Sequence, residues 1–101
     1  MKLAILIHTG PGGVGMTSSI GIAKAALGKG HEVNIFIMAE AVSLLANAEF
    51  VGLIGEGAKV SVCEHNRNEH KAPEGVEGVD YASQYDFAIL AQECDKVISF
   101  T

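Results

Sequence analysis

Cys63 opens the segment "CEHNRNEHK", which places His65 and Arg67 close behind a thiol. The thiolate is the nucleophilic form of cysteine, and nearby cations or a helix N-terminus favour it. The group therefore points to sulfur chemistry on Cys63. The same residues equally suit an ordinary strand-end cysteine followed by a polar loop. Adding His70 gives C-x-H-x4-H, which lacks a fourth ligand and matches no usual zinc spacing. Cys94 falls on the apolar stripe of a later helix, where a free cysteine behaves as a small buried hydrophobe. His8 ends the first apolar run and would face Cys63 if the first three strands were ordered 2-1-3.

A second candidate site is the stretch "HTGPGGVGMTSS", residues 8–19. Gly10, Gly12 and Gly15 read G-x-G-x-x-G, with Gly13 adding a further glycine. The same loop also reads G-x-x-x-x-G-M-T. A P-loop cradles phosphate on backbone N–H groups and neutralises it with lysine, but Met16 stands where that lysine belongs. The dinucleotide pattern fits better, because it follows a strand and opens a helix, and Glu40 after the second strand is placed to meet a ribose. Yet 101 residues leave little room for a second mononucleotide-binding half. The plain reading is a tight connection between strand and helix, for which glycine is the usual choice.

These residues must be positioned by elements the pattern predicts. "KLAILIH", residues 2–8, is a continuous apolar run and reads as a strand buried on both faces. Ile20, Ala23 and Leu27 make one helical stripe within residues 16–29, with Thr17 or Ser18 as cap and Gly28 and Gly30 as stop. "HEVNIFIM", residues 31–38, reads as a second strand. A short helix is predicted over residues 41–48, and "KVSVC", residues 59–63, alternates as a third strand. Residues 64–78 read as a loop with one helical turn, followed by a short strand near residues 76–79. Ser83 and Asp86 form the pattern of a capping box. The helix they open runs to about residue 93, and "KVISF", residues 96–100, closes the chain. Alternating strands and helices imply one α/β domain over residues 1–101 with a mostly parallel, five-stranded sheet.

Composition narrows the function classes. A net charge of −5, with only 7 Lys and Arg, removes the footprint of a nucleic-acid binder. Two cysteines are too few for a secreted disulfide scaffold. The apolar N-terminal run is too short for a membrane span and has no signal-peptide cleavage pattern, so the expected compartment is the cytoplasm. Hydrophobic residues make up 49% of a small chain, which suggests apolar surface shared with another subunit.

Several stretches, in order, resemble the DsrE/DsrF-like family of sulfur-relay (TusD) and YchN-like proteins. They are "MKLAILIHTGP", "IAKAALGKGHEVNIFIMAEAV", "GAKVSVCEH" and "ECDKVISF", which together span nearly the whole chain. The resemblance implies a three-layer α/β sandwich that assembles as a homotrimer or homohexamer. It also implies a sulfurtransferase-type persulfide carrier without a cofactor, in which Cys63 accepts sulfane sulfur from one protein and passes it to the thiol of another. His8, His65 and Arg67 are then candidate assisting groups, and Gly10, Gly12, Gly13 and Gly15 a candidate backbone wall of the thiol's pocket. Two other classes remain: a nucleotide- or small-ligand-binding module using the glycine loop, and an oligomeric interaction protein with an incidental cysteine.

Overall fold

Five apolar segments pair into one parallel sheet. The computed structural model describes residues 1–10 and 14–100. Its strands are β1 (Lys2–Ile7), β2 (Glu32–Ile37), β3 (Lys59–Cys63), β4 (Val79–Ala82) and β5 (Lys96–Phe100). The helices are α1 (Val14–Gly28), α2 (Ala48–Gly55), α3 (Glu64–Glu69) and α4 (Gln84–Glu93), with a 3-10 helix over Ala39–Ala46 before α2. The strand order is β4-β3-β2-β1-β5, and every pairing is parallel. The expected α/β sandwich with a five-stranded sheet is therefore present.

That order decides which face each helix covers. The chain moves outward from β1 through β2 and β3 to β4, then returns past them to β5. Crossovers between parallel strands are right-handed, so reversing direction moves the helix to the opposite face. α1, the 3-10 helix and α2 pack on one face, where Leu3, Ile5, Ile7, Val33, Ile35 and Ile37 join Ile20, Phe50 and Leu53 in the main core. α4 alone serves the other face. A helix with its side chains is roughly 10–12 Å wide, whereas five strands about 4.8 Å apart span roughly 19 Å. One helix cannot cover that face. No residue of α4 is buried, and Ile89 and Val97 remain 40% and 44% exposed.

Several local expectations need correction. α1 begins at Val14, so Thr17 and Ser18 lie inside it and cannot cap it. The predicted helix over residues 41–48 is a 3-10 segment that ends at Ala46, after which Asn47 caps a separate α2 by accepting the Phe50 N–H at 2.9 Å. Residues 64–69, inside the segment read as a loop with one helical turn, form the six-residue α3. β4 begins at Val79 rather than near residue 76, because Val76 is held in the preceding turn by its N–H donating to the Tyr81 hydroxyl at 3.0 Å.

Candidate functional site

Cys63 is the last residue of β3 and the N-cap of α3. Val60 and Val62 enter the main core, so strand alternation sends Cys63 to the α4 face with Lys59 and Ser61. The residue is only 3% exposed. α3 holds its geometry by local pairs rather than an apolar stripe. Arg67 donates from Nε and Nη2 to Glu64 Oε1 at 2.9 and 2.8 Å, and from Nη1 to the Ala72 carbonyl at 3.0 Å. The Glu64 carboxylate raises the Arg67 pKa above its ordinary value. Arg67 is thus bound to its own helix and the turn after it. His65 lies 3.6 Å from Glu69 with its side chain 81% exposed.

α3 is also tied to the end of β2. Asn66 Oδ1 accepts the Ala39 N–H at 2.8 Å, and Ala39 has a φ of +53°. Left-handed backbone costs a non-glycine residue free energy, and such strain concentrates near functional sites. The strain here sits at the carboxyl ends of the strands, where open parallel sheets bind ligands.

The order 2-1-3 that would bring His8 to Cys63 does not occur. β2 lies between β1 and β3, which puts their axes roughly 10 Å apart at about 4.8 Å per strand. His8 instead belongs to the reversal of strand order, where its N–H donates to the Phe100 carbonyl at 2.8 Å. Gly10 follows it, and the Glu40 carboxylate lies against it: a Cβ built on Gly10 would sit 3.6 Å from Glu40 Oε2. A carboxylate there opposes phosphate binding by the described part of the loop. Gly12 and Gly13 lie outside the described residues, and Gly15 is in the first turn of α1. The thiol and the described start of the glycine loop, expected to share one pocket, thus stand at the ends of two strands separated by β2.

Sequence reasoning missed a cleft of about 240 Å³ on the α4 face. Its floor is Asn34 and Phe36 of β2, Lys59 and Ser61 of β3, and Asp80 of β4. Its wall is Asp86, Ile89, Leu90 and Glu93. Those four recur at i, i+3, i+4 and i+7 on α4, so they share one helix face. Phe36 anchors the floor, being 1% exposed and stacked at a tilt on Phe87 with ring centroids 5.3 Å apart. Cys94 sits at the far end of this face, half-buried at the C-cap of α4, with the Asn34 Nδ2 amide 4.0 Å from its Sγ. Burial pushes the Cys94 thiol above its ordinary pKa, with the neighbouring Lys2 opposing. Asn34 pairs with Lys59, four residues before Cys63. At about 3.3 Å per residue, Cys94 is therefore roughly 13 Å along the sheet from Cys63, too far for a disulfide. No cluster of three or more His, Cys, Asp or Glu among the described residues could hold a metal ion.

The DsrE/DsrF-like family model matches residues 1–100. The chain belongs to the DsrE/DsrF-like family. Its fold is similar to that of the ychN protein from E.coli, with a TM-score of 0.86 at 17% identity over 99% of each chain. It is also similar to BT1422 from Bacteroides thetaiotaomicron, described as a conserved protein of unknown function. That match has a TM-score of 0.77 at 18% identity, over 98% of this chain and 94% of the other. No curated protein matches the chain in sequence. No helix among the described residues is long and apolar enough to cross a membrane.

Proposed function

We propose that this protein is a sulfur carrier that accepts sulfane sulfur as a persulfide on Cys63 and passes it to a partner thiol. The observation that carries this reading is the position of Cys63: it caps α3 at the carboxyl end of β3 in a chain that belongs to the DsrE/DsrF-like family. The Cys63 thiolate attacks the outer sulfur of a donor persulfide, R–S–SH. The new bond gives Cys63–S–SH, the donor S–S bond breaks, and R–S⁻ leaves. An acceptor thiolate then attacks the outer sulfur of Cys63–S–SH and regenerates the Cys63 thiolate. Both steps are exchanges analogous to thiol–disulfide exchange, and neither requires a net oxidant, reductant or cofactor. Because Cys63 is 3% exposed, transfer requires the cover over its thiol to open. His65 and Arg67 act at most from the flank, since both face carboxylates on α3. Transfer takes place in the cytoplasm, between a donor protein and an acceptor protein.

The carrier works as a homotrimer or homohexamer in this reading, with the exposed Tyr85 and Val97 supplying apolar surface outside the cleft. The test is intact mass after incubation with a neutral organic persulfide. A gain of one sulfur atom that survives Cys94→Ser and disappears in Cys63→Ser supports the carrier. An unmodified protein sinks it. Light scattering tests assembly separately, and a monomer at micromolar concentration removes the oligomer.

A further inference from the structure

We propose that the α4-side cleft is the groove through which the sulfur partner reaches Cys63, and that its occupant is an extended peptide segment carrying a basic residue two positions from its own cysteine. The proposal rests on the carrier reading for its consequence, but the groove itself is independent of it.

Three observations converge. First, the cleft runs along β3 toward Cys63, which is buried just past its lining. Ser61, on its floor, is two residues before Cys63 and on the same face of β3, so the two are roughly 6.6 Å apart along the strand at about 3.3 Å per residue. From the level of Lys59 to Cys63 is four residues, the length of four residues of an extended peptide. Second, the size fits a segment and not a folded surface. A volume of about 240 Å³ holds roughly eight waters at about 30 Å³ each, or a few side chains. Ile89 and Leu90 give an apolar shelf over the stem of a long basic side chain. Third, the charge is one-sided. Asp80, Asp86 and Glu93 line the cleft with one cation, Lys59, whose Nζ is already 3.6 Å from Glu32 Oε1. Glu93 is itself 3.6 Å from Lys2 Nζ, and Asp86 accepts from the Ser83 N–H and hydroxyl, so Asp80 is the carboxylate left to meet an incoming cation. Asp80 forms no ion pair among the described residues, and it is level with Ser61 in the β3–β4 register. A basic residue two positions from a cysteine that meets Cys63 falls beside Asp80.

The experiment uses the full chain carrying Cys94→Ser and three short peptides with one cysteine, each activated as the same pyridyl disulfide. The peptides differ at one position, two residues from the cysteine: lysine, glutamine or glutamate. Cys63 attacks the peptide sulfur, a peptide–Cys63 disulfide forms, and pyridinethione leaves, so the leaving group is common to all three. The expected order is lysine, then glutamine, then glutamate, with about five- to tenfold between the extremes at low salt and less at high salt. Asp80→Asn with Glu93→Gln should collapse the ratio. Glu49→Gln, on the opposite side of the sheet, should leave it unchanged. Equal rates, a ratio that survives the cleft substitutions, or no reaction with any peptide overturns the groove. A preserved lysine preference in a protein that takes no sulfur from the neutral persulfide upholds the groove and overturns the carrier.

Discussion

Asn66 accepts the Ala39 N–H at 2.8 Å, so the helix that begins at Cys63 is bolted to the strained residue that leaves β2. Ala39 holds a φ of +53° with that bond in place. Removing the acceptor leaves a part-buried N–H unpaired, at a cost of about 1–2 kcal/mol. Asn66→Ala should lose that much stability in urea unfolding. Ala39→Gly should lose none, because glycine adopts this conformation without penalty. An Asn66→Ala protein as stable as the parent would show that the bolt carries no load.

Gly78 and Gly30 separate two reasons for glycine. Both have strongly positive φ, +85° and +83°. Alanine is strained at either, at about 1–2 kcal/mol. At Gly78 a Cβ would also sit 2.7 Å from Ile54 Cγ2, whereas nothing lies within 4 Å at Gly30. Gly78→Ala should therefore cost about 1 kcal/mol more than Gly30→Ala, as overpacking against a partly buried side chain does. Adding Ile54→Ala should remove the excess. Equal midpoint shifts in the two alanine variants would mean that Ile54 gives way freely.

The central strands were legible because they are buried on both faces and such strands read as continuous apolar runs, which "KLAILIH" and "HEVNIFIM" supply. α2 was hidden by Gly52 and Gly55, which read as breakers. Burial of Phe50 and Leu53 outweighs their poor helix propensity. α3 was hidden because "EHNRNE" has no apolar period; its support is the set of side-chain pairs from Arg67, His65 and Asn66. The types of the site residues were readable, but their grouping was not. Whether His8 or Asp80 comes near the thiol depends on strand order, which no local pattern encodes. The spacing Asp86, Ile89, Leu90, Glu93 was equally present in the sequence. It gains meaning only once α4 is known to be alone on its face.

The capping box on α4 makes part of the stability acid-sensitive. Ser83 Oγ accepts the Asp86 N–H at 3.3 Å, while Asp86 Oδ2 accepts from the Ser83 N–H at 2.8 Å and from its hydroxyl at 2.9 Å. The Ser83 backbone N–H first, and its hydroxyl second, hold the Asp86 pKa below its ordinary value. A lowered carboxyl pKa contributes stability above the unfolded pKa, near 3.9, and that contribution is lost as pH falls through the folded value. Ser83→Ala should cost about 1 kcal/mol at neutral pH. It should also flatten the acid limb of the stability curve, because one of the two bonds that lower the pKa is gone. An unchanged acid limb in Ser83→Ala would leave the backbone N–H as the sole cause.

Cys94 should show the opposite dependence. Burial against Asn34 pushes its thiol above the ordinary pKa. The folded state then holds the thiol proton more tightly than the unfolded chain does. Its contribution is complete below the unfolded thiol pKa, about 8.5, and disappears as pH rises through the folded value. Urea unfolding of the parent between neutral pH and mildly alkaline pH should therefore lose more stability than Cys94→Ser over the same range, since serine does not titrate there. Lysines and tyrosines titrate in both proteins and cancel in the difference. Alkylation gives an independent reading: in the folded Cys63→Ser protein, Cys94 should react more slowly than a free cysteine at the same pH, because only the thiolate attacks. Cys94 alkylated as fast as free cysteine, or two proteins with the same alkaline slope, would mean that the thiol is more open to water than its place at the end of α4 implies.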